Sequence, residues 1–337
     1  MFENTRVSRR AFVAGSAGGG LSTLIPRGIA AQDSEIPDKI GIDYAYWNPS
    51  SLVLREFGWL EEEFSAEGTE FEWVWSAGSN KANEWLRSEV VDIGSTAGSA
   101  ALLARTNGSP IHNIYLFSQP EWSALVSLAD SDIDTIEELE GKKVAATKGT
   151  DPYFFLLQSL NSVGLSGADI EVVNLQHADG QVAMERGDVD AWSGLDPHMA
   201  QTQLELGSKL FYRNIDFNTY GFLNAREDFV NNHPAAVTRI LQQYERARLW
   251  ILENPDEAIA ILAKEAELSE EVARVNLIER TVLDLDPTPG DVQRAVLDVV
   301  IPIFEAENQL QPGSDVQEAL DTLFRPEFIA EVYTPTA

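Results

Sequence analysis

The segment Lys143–Leu157, KVAATKGTDPYFFLL, reads as a short buried strand that runs directly into a helix. Gly149 at the joint tolerates unusual backbone angles and lets another group approach closely. Thr150 or Asp151 is able to cap the helix, and Pro152 suits its first turn. The first N–H groups of a helix have no acceptor inside it and carry the positive end of its dipole. The joint is therefore a candidate anion site, although an ordinary strand–helix turn uses the same residues.

Similar joints recur along the chain, because short alternating segments are followed by polar residues and then by helical patterns. Strands are predicted at residues 40–46, 71–75, 91–94, 143–146, 170–173 and 189–192. A second unit begins at 125–128, and the chain is mostly helical beyond residue 223. Strands that alternate with helices predict parallel pairing with right-handed crossovers. The predicted fold class is therefore α/β, with mostly parallel sheets flanked by helices.

Five polar loops follow predicted strands, at residues 47–51, 76–80, 95–99, 147–151 and 193–197. In open parallel sheets, ligands bind outside the carboxyl ends of the strands, so these loops are expected to converge on one small ligand. They provide hydroxyls, an amide, backbone N–H groups and a single cation, Lys148. This donor set favours a singly charged anion with several oxygens, such as a sulfonate. Trp47 and Trp192 would wall its apolar tail, or else pack in the core.

The composition limits the classes of partner and chemistry. The 337 residues include 24 basic and 54 acidic side chains, a net charge of −30. This length favours two domains. So acidic a surface argues against nucleic acid and against anionic membranes. The absence of cysteine excludes disulfides, thiol chemistry and cysteine-ligated metals. The four histidines lack metal-binding spacing, so no metal and no cofactor is predicted.

Residues 1–31 read as an export signal. They have a basic start, an apolar stretch at 11–25 that is too short and glycine-rich to span a bilayer, and small residues near Ala30. The segment Ser8–Val13, SRRAFV, matches the twin-arginine pattern. A disordered tail is the alternative. The prediction is a periplasmic or extracellular protein without a lipid anchor, whose net charge after cleavage would be −33, since residues 1–31 contain four Arg and one Glu.

Four segments of this sequence resemble the periplasmic solute-binding proteins of transporters for nitrate, sulfonates and taurine, and the aliphatic-sulfonate branch most of all. They are YWNPSSLVLREFGWLEEE at 46–63, WSAGSNKANEWLRSEVVDIGSTAGSAALLAR at 75–105, IEELEGKKVAATKGTDPYFFLLQSL at 136–160 and HADGQVAMERGDVDAWSGLDPHMAQ at 177–201. The resemblance covers residues 40–328. The motifs GKKVAxTKGT and GDVDAWxxxDP are specific for the family and say little about the ligand.

The resemblance implies a two-lobed periplasmic-binding-protein fold (type II) with the ligand cleft between the lobes. Lobe I would contain residues 36–120 and 218–337, and lobe II residues 121–217. The implied partners are a small anionic ligand and a membrane permease with its ATPase, and a monomer is expected. The family's ligand-binding positions would fall on Trp47, Asn48, Ser76, Gly78, Ser79, Ser95, Thr96, Ala97, Thr147, Gly149, Thr150, Asp151, Trp192 and Asp196.

Three functions remain open at this point. The first is a non-catalytic receptor for an ABC importer, binding an aliphatic sulfonate or, alternatively, taurine, nitrate or a thiamine-precursor pyrimidine. The second is an exported enzyme in which Asp151 and Asp196 form a carboxylate pair. The third is a sensory protein that presents its closed form to a receptor. No catalytic residue is assigned, because no nucleophile with a base and no metal cluster is recognisable.

Overall fold

Two β-sheets, each covered by helices, form the framework of the protein. The computed structural model describes residues 36–333, so the predicted export signal lies outside the described residues. The strands are β1 Lys39–Tyr44, β2 Glu70–Trp75, β3 Ile93–Ala97, β4 Ile111–Pro120, β5 Ser123–Ser127, β6 Lys143–Ala146, β7 Glu171–Asn174, β8 Ala191–Leu195, β9 Lys209–Arg213, β10 Gly221–Arg226 and β11 Thr281–Val282. The first sheet has the order β11-β4-β10-β3-β1-β2, and the second has the order β7-β6-β8-β5-β9.

The helices lie on and around these sheets. They are α1 Pro49–Phe57, α2 Trp59–Glu63, α3 Ser79–Arg87, α4 Gly98–Thr106, α5 Asp151–Ser162, α6 His177–Glu185, α7 His198–Leu206, α8 Glu227–Asn232, α9 Pro234–Glu253, α10 Pro255–Glu265, α11 Glu270–Arg274, α12 Asp291–Ala306, α13 Val316–Asp321 and α14 Glu327–Ala330. A π-helical turn at Val275–Glu279 follows α11. The predicted joint between β6 and α5 is confirmed, and Gly149 there has a φ of 79°, in the left-handed region that favours glycine.

Pairing within the sheets is parallel where strand–helix alternation predicted it. Strand β1 pairs in parallel with β2 and β3, and β6 pairs in parallel with β7 and β8. The sheets are mixed rather than mostly parallel, because β10 runs antiparallel between β3 and β4, β11 runs antiparallel to β4, and β5 runs antiparallel between β8 and β9. Strand β4 was missed because nearly all of its ten residues are buried, so its sequence does not alternate.

Two segments predicted as loops are strand residues. Ser95–Ala97 belong to β3, and Ser193–Leu195 belong to β8. Their antiparallel neighbours extend the strands, since Gly221 pairs with Ala97 and Ser123 pairs with Leu195. Small polar residues read locally as a loop, but ladder hydrogen bonds from distant strands keep them extended. Helix α4 consequently begins directly after β3.

The chain passes between the two sheets in two neighbouring segments. The first lies between Pro120, the end of β4, and Ser123, the start of β5. The second lies between Arg213, the end of β9, and Gly221, the start of β10. The backbone N–H of Ser123 donates to Asn218 Oδ1 at 2.8 Å, so the two crossing segments are hydrogen-bonded to each other.

A hydrophobic cluster joins helices that cover different sheets. Helix α5, which covers the second sheet, packs against α12, and the rings of Phe154 and Phe304 meet edge to face at 4.9 Å. Helix α12 also packs against α4, which covers the first sheet. The same cluster includes Leu102, Leu156 and Leu297, all at most 1% exposed. Apolar contacts at this side therefore connect both halves of the fold.

Candidate functional site

A small cavity lies between the two lobes, at the carboxyl ends of the parallel strands. Its free space holds roughly one water-sized sphere, about 10 Å³. Walls from both lobes therefore approach each other closely. The lining residues are Trp47, Ser79 and Ala97 from the first lobe, Trp122 from a crossing segment, and Thr150, Asp151, Pro152, His177 and Leu195 from the second lobe.

The structure brings part of the predicted site to this cavity. The predicted residues that line it are Trp47, Ser79, Ala97, Thr150 and Asp151. Those that do not line it are Asn48, Ser76, Gly78, Ser95, Thr96, Thr147, Gly149, Trp192 and Asp196. The lining residues that the sequence analysis missed are Trp122, Pro152, His177 and Leu195. His177 follows β7, the one parallel strand of the second sheet whose following residues were not counted among the five loops. Counting the residues after every parallel strand would have found His177.

Four helix N-termini meet at the cavity. Ser79 is the first residue of α3, Ala97 directly precedes α4, Thr150 directly precedes α5, and His177 is the first residue of α6. These helices have nine to twelve residues, and the first N–H groups of each carry partial positive charge. These helix ends bring partial positive charge to a cavity whose lining contains no lysine or arginine, and this favours an anion. The N–H groups of Gly98 and Ser99 at the start of α4 already donate to the carbonyl oxygen of Tyr220 and to Thr219 Oγ1, so the unpaired donors belong to the other three helices.

Neutral side-chain donors add to the helix N-termini. Ser79 Oγ accepts a hydrogen bond from the backbone N–H of Ala97 at 2.9 Å, so its own hydrogen is available to another acceptor. The Trp47 side chain is 7% exposed, and its buried Nε1 has no hydrogen-bond partner within the described part of the chain. A buried donor left without an acceptor costs about 1–3 kcal/mol. Both groups are suited to donate to an anionic oxygen.

The carboxylate of Asp151 is fully occupied by hydrogen bonds. Ser99 Oγ and Thr219 Oγ1 donate to Oδ1, the latter at 2.7 Å. Trp122 Nε1 and the backbone N–H of Thr219 donate to Oδ2 at 2.9 and 2.7 Å. Burial raises the pKa of Asp151, and these four hydrogen bonds oppose that rise. Asp151 therefore links α5 to α4 and to both crossing segments, while its contact with a ligand stays a prediction.

Asn48 and Ser95 form a buried polar framework in the first lobe. Asn48 Nδ2 donates to Ser95 Oγ at 2.8 Å, and Asn48 Oδ1 caps α1 by accepting from the backbone N–H of Ser51. The hydroxyl and the backbone N–H of Ser95 both donate to Asp43 Oδ1 at 2.8 Å. Thr96 is held in the same way, because its Oγ1 accepts from Asn224 Nδ2 at 2.7 Å. These polar groups form hydrogen bonds with one another rather than facing the cavity.

Asp43 is expected to give the protein an unusual pH dependence of stability. Burial raises its pKa from 3.8 to about 6, against the hydrogen bonds from Ser95. The folded state then holds a proton that the unfolded state has lost, so this stabilisation is complete below about pH 4 and is lost as the pH rises through 6. The loss amounts to at most about 3 kcal/mol. Urea unfolding from pH 4 to 7 should show this component in the wild type and not in Asp43→Asn; parallel profiles would contradict it.

Two predicted site residues, Trp192 and Asp196, make their contacts outside the cavity. Trp192 is completely buried in a cluster with Met184 and Met199. Asp196 forms an ion pair with Arg280, whose Nη1 lies 3.0 Å from Oδ1, and also accepts from the backbone N–H of Ala200 at 2.8 Å. Burial raises the pKa of Asp196, and Arg280 opposes the rise. The structure therefore places neither side chain in the lining of the cavity.

Gly78 lies where the first lobe comes close to His177 of the second lobe. A Cβ built at this position would stand 2.7 Å from Asn80 Oδ1 and 3.1 Å from His177 Nε2. The first atom belongs to α3 of the first lobe, and the second belongs to α6 of the second lobe. A larger residue at this position would push the imidazole away. Glycine is therefore required by space rather than by backbone angle, since its φ of 169° is extended.

The fold and the cavity define a two-lobed ligand-binding protein. A family profile described as NMT1/THI5 like matches residues 58–258, and the chain belongs to that family. A Bacillus subtilis (strain 168) protein named for binding aliphatic sulfonates is 28% identical over 277 residues, 81% of this chain and 82% of that protein. An Escherichia coli (strain K12) protein with the same name is 26% identical over 297 residues, 87% of this chain and 91% of that protein.

Solved structures show the same fold at lower identity. The alkanesulfonate-binding protein SsuA from Xanthomonas axonopodis pv. citri, bound to MOPS, has a TM-score of 0.76 at 22% identity, covering 85% of this chain and 98% of that chain. The nitrate-binding protein NrtA from Synechocystis PCC 6803 has a TM-score of 0.71 at 14% identity, covering 88% of each chain. The desulfurization enzyme DSZB has a TM-score of 0.64 at 14% identity, covering 88% of this chain and 99% of that chain. Likeness of fold alone therefore does not decide between binding and catalysis.

Proposed function

We propose that the protein is the extracytoplasmic receptor of an ABC importer and binds a short aliphatic sulfonate between its lobes. The observation that carries the proposal is the meeting of four helix N-termini and two neutral donors at one buried cavity. A sulfonate presents one negative charge spread over three oxygens, which matches many weak donors and no fixed cation. The names of the relatives from Bacillus subtilis and Escherichia coli support the same ligand class.

The proposed binding mode uses the predicted joints of both lobes. Trp47, Ser79 and Ala97 would approach the ligand from the first lobe, and the backbone N–H groups of Thr150 and Asp151 would donate from the second. The free space is smaller than a sulfonate headgroup, so the lobes must part to admit the ligand and then close on it. The proposed boundaries are residues 36–120 with 218–337 and residues 121–217. Their support is that the chain crosses between the sheets at 121–122 and 214–220.

The proposed location is outside the cytoplasm, reached by the twin-arginine route and without a lipid anchor. The pattern at Ser8–Val13 and the absence of cysteine support this. Within residues 36–333, no helix combines the length and the apolar composition needed to cross a membrane. The proposed partners are a permease and its ATPase, with the receptor acting as a monomer.

A binding role is favoured over catalysis by the state of the two candidate carboxylates. Asp151 accepts four hydrogen bonds, and Asp196 is paired with Arg280, so neither presents a free oxygen to a substrate. In the part of the chain that the structure describes, no group of three or more His, Cys, Asp or Glu is placed to hold a metal ion. We therefore propose a receptor without enzymatic activity, and turnover of a bound sulfonate would contradict this.

Thermal melting with ligands tests the proposal. A ligand that binds only the folded state raises the melting temperature by mass action, by an amount that corresponds to about 2.7 kcal/mol at a hundred times its Kd. We expect such a rise with short alkanesulfonates and none with matched sodium chloride. The rise should be lost in Gly78→Val, because the new side chain meets His177 and keeps the lobes apart.

Gly290→Val is the matched control, because a Cβ at Gly290 meets no atom within 4 Å. It should keep the ligand-induced rise, even if its melting temperature without ligand differs. A rise only with nitrate or a pyrimidine would retain the receptor and reject the sulfonate. If no tested ligand raises the melting temperature of the wild-type protein, the proposed ligand class is wrong.

A further inference from the structure

The protonation of the His177 ring is set by its neighbours. Thr147 Oγ1 lies 2.7 Å from the carbonyl oxygen of Leu175 and 3.1 Å from His177 Nδ1. The carbonyl can only accept, so it takes the single hydroxyl hydrogen of Thr147. Thr147 Oγ1 must then accept from His177, and Nδ1 carries the proton. In the neutral ring, Nε2 therefore holds a lone pair.

His177 Nε2 is a buried acceptor without a partner. His177 is 1% exposed and lines the cavity, and within the described residues no group donates to Nε2. A second acceptor without a partner among the described residues, Asn80 Oδ1, also lies close to Gly78, although Asn80 does not line the cavity. Unpaired buried acceptors cost free energy unless a donor reaches them. The lining thus presents a place for a hydrogen-bond donor beside its anion-binding helix N-termini.

The ring stays neutral at physiological pH. Burial, together with the nearby His198, lowers the pKa of His177 to about 3. The groups that face it are His198 on α7, whose own pKa burial lowers to about 4, and the hydrogen-bonded carboxylate of Asp151 on α5. With this pKa, only about one His177 ring in 10⁴ is charged at pH 7. An anion that requires the charged ring would therefore have to bind it about 10⁴-fold more tightly than the neutral ring. A ligand hydroxyl or ammonium needs no such change.

We propose that His177 Nε2 accepts a hydrogen bond from the ligand and thereby selects sulfonates whose chain carries a hydroxyl or ammonium group. This inference rests on the proposed function, because the sulfonate is the anchor beside which the donor is placed. His177 then acts as a specificity-determining residue, and Thr147 as the positioning residue that keeps the lone pair directed at the ligand. A binding site built around a hydrogen bond rejects the analogue that lacks the donor, because its buried acceptor stays unpaired.

Three ligands with the same headgroup and chain length test this selection. They are propane-1-sulfonate, 2-hydroxyethanesulfonate and 2-aminoethanesulfonate, which end in a methyl, a hydroxyl and an ammonium group. Calorimetric titration of the mature protein is expected to show binding of the hydroxyl or the ammonium ligand at least about tenfold tighter than binding of the methyl ligand. His177→Phe should remove this preference. His112→Phe is the control, because His112 lies in the first lobe against the carbonyl oxygen of Thr322 and does not line the cavity, and it should keep the preference.

Proton counting on the wild-type protein avoids dependence on any variant. Titration with 2-hydroxyethanesulfonate at pH 7, in buffers of different ionisation enthalpy, should show no proton uptake on binding. Uptake of about one proton would mean that His177 becomes a cation and would overturn the proposal. Equal binding of the three ligands would also overturn it while leaving the sulfonate receptor intact. Absence of binding by all three would reject the proposed function itself.

Discussion

Replacing Arg280 by alanine is expected to lower the free energy of unfolding by about 3–5 kcal/mol. The guanidinium is 5% exposed, and its partner Asp196 is 1% exposed. Arg280 Nη1 lies 3.0 and 3.2 Å from the two carboxylate oxygens, and Nη2 donates to Gln203 Oε1. Removal of the cation would leave a buried carboxylate without its counter-charge, which costs far more than the loss of a solvated pair.

The ion pair also connects the two lobes. Arg280 directly precedes β11 of the first sheet, whereas Asp196 directly follows β8 and Gln203 lies in α7, both in the second lobe. Arg274→Ala is a matched control, since Arg274 pairs with Asp256 in the same region but the two side chains are 51% and 80% exposed. We expect that control to change stability by less than about 1 kcal/mol. Similar changes in the two variants, measured by urea unfolding, would contradict the argument.

Asp151→Ala is expected to cost about 3 kcal/mol of stability and to weaken ligand binding at the same time. The substitution leaves Trp122 Nε1 and the backbone N–H of Thr219 buried without an acceptor. Each such orphaned donor costs about 1–3 kcal/mol. The hydroxyls of Ser99 and Thr219 are able to rotate toward other acceptors, so their loss adds less. Because Asp151 also lines the cavity, its removal should disturb the joint that we propose donates to the ligand.

Asp169→Ala is the control for Asp151→Ala, because it also removes a carboxylate that accepts hydrogen bonds. Asp169 accepts from the backbone N–H and from the hydroxyl of Ser166, both at 2.8 Å, but it lies at the surface. We expect a clearly smaller loss of stability for this control than for Asp151→Ala, with ligand binding unchanged, because Asp169 is exposed to solvent. Chemical denaturation and calorimetry of the two variants provide the comparison. If Asp151→Ala were no more damaging than Asp169→Ala, the four hydrogen bonds of Asp151 would not be important for the fold.

Local sequence predicted the parallel part of the fold and missed the antiparallel part. The joint at Gly149–Pro152 has both a strand and a helix signal within a few residues, so β6 and α5 were found. Strand β10 is different, because its place between β3 and β4 depends on segments more than a hundred residues away. No local pattern describes such a pairing, and the fully buried β4 has no alternation to reveal it.

The candidate site was predicted at the level of loops rather than of side chains. The search for polar residues after parallel strands selected Trp47 and Ser79, which line the cavity, and their contact with a ligand stays a prediction. The same rule also selected Asn48 and Ser95, which bond to each other across 47 residues of sequence and so do not face the cavity. Asp196 was assigned to the ligand because Arg280, 84 residues further along, gave no sign of being its partner. Hydrogen bonds and ion pairs between residues far apart in the sequence decide which polar side chains are left to contact a ligand.

The contact of Phe154 with Phe304 restricts how the molecule can open. Helix α12 packs against α4 and α5 together, so parting the lobes on that side would expose both rings to water. Fully exposing one buried aromatic ring costs roughly 1.5–3 kcal/mol, so the lowest-energy rotation keeps the two rings in contact. The lobes would then rotate about a hinge at α12.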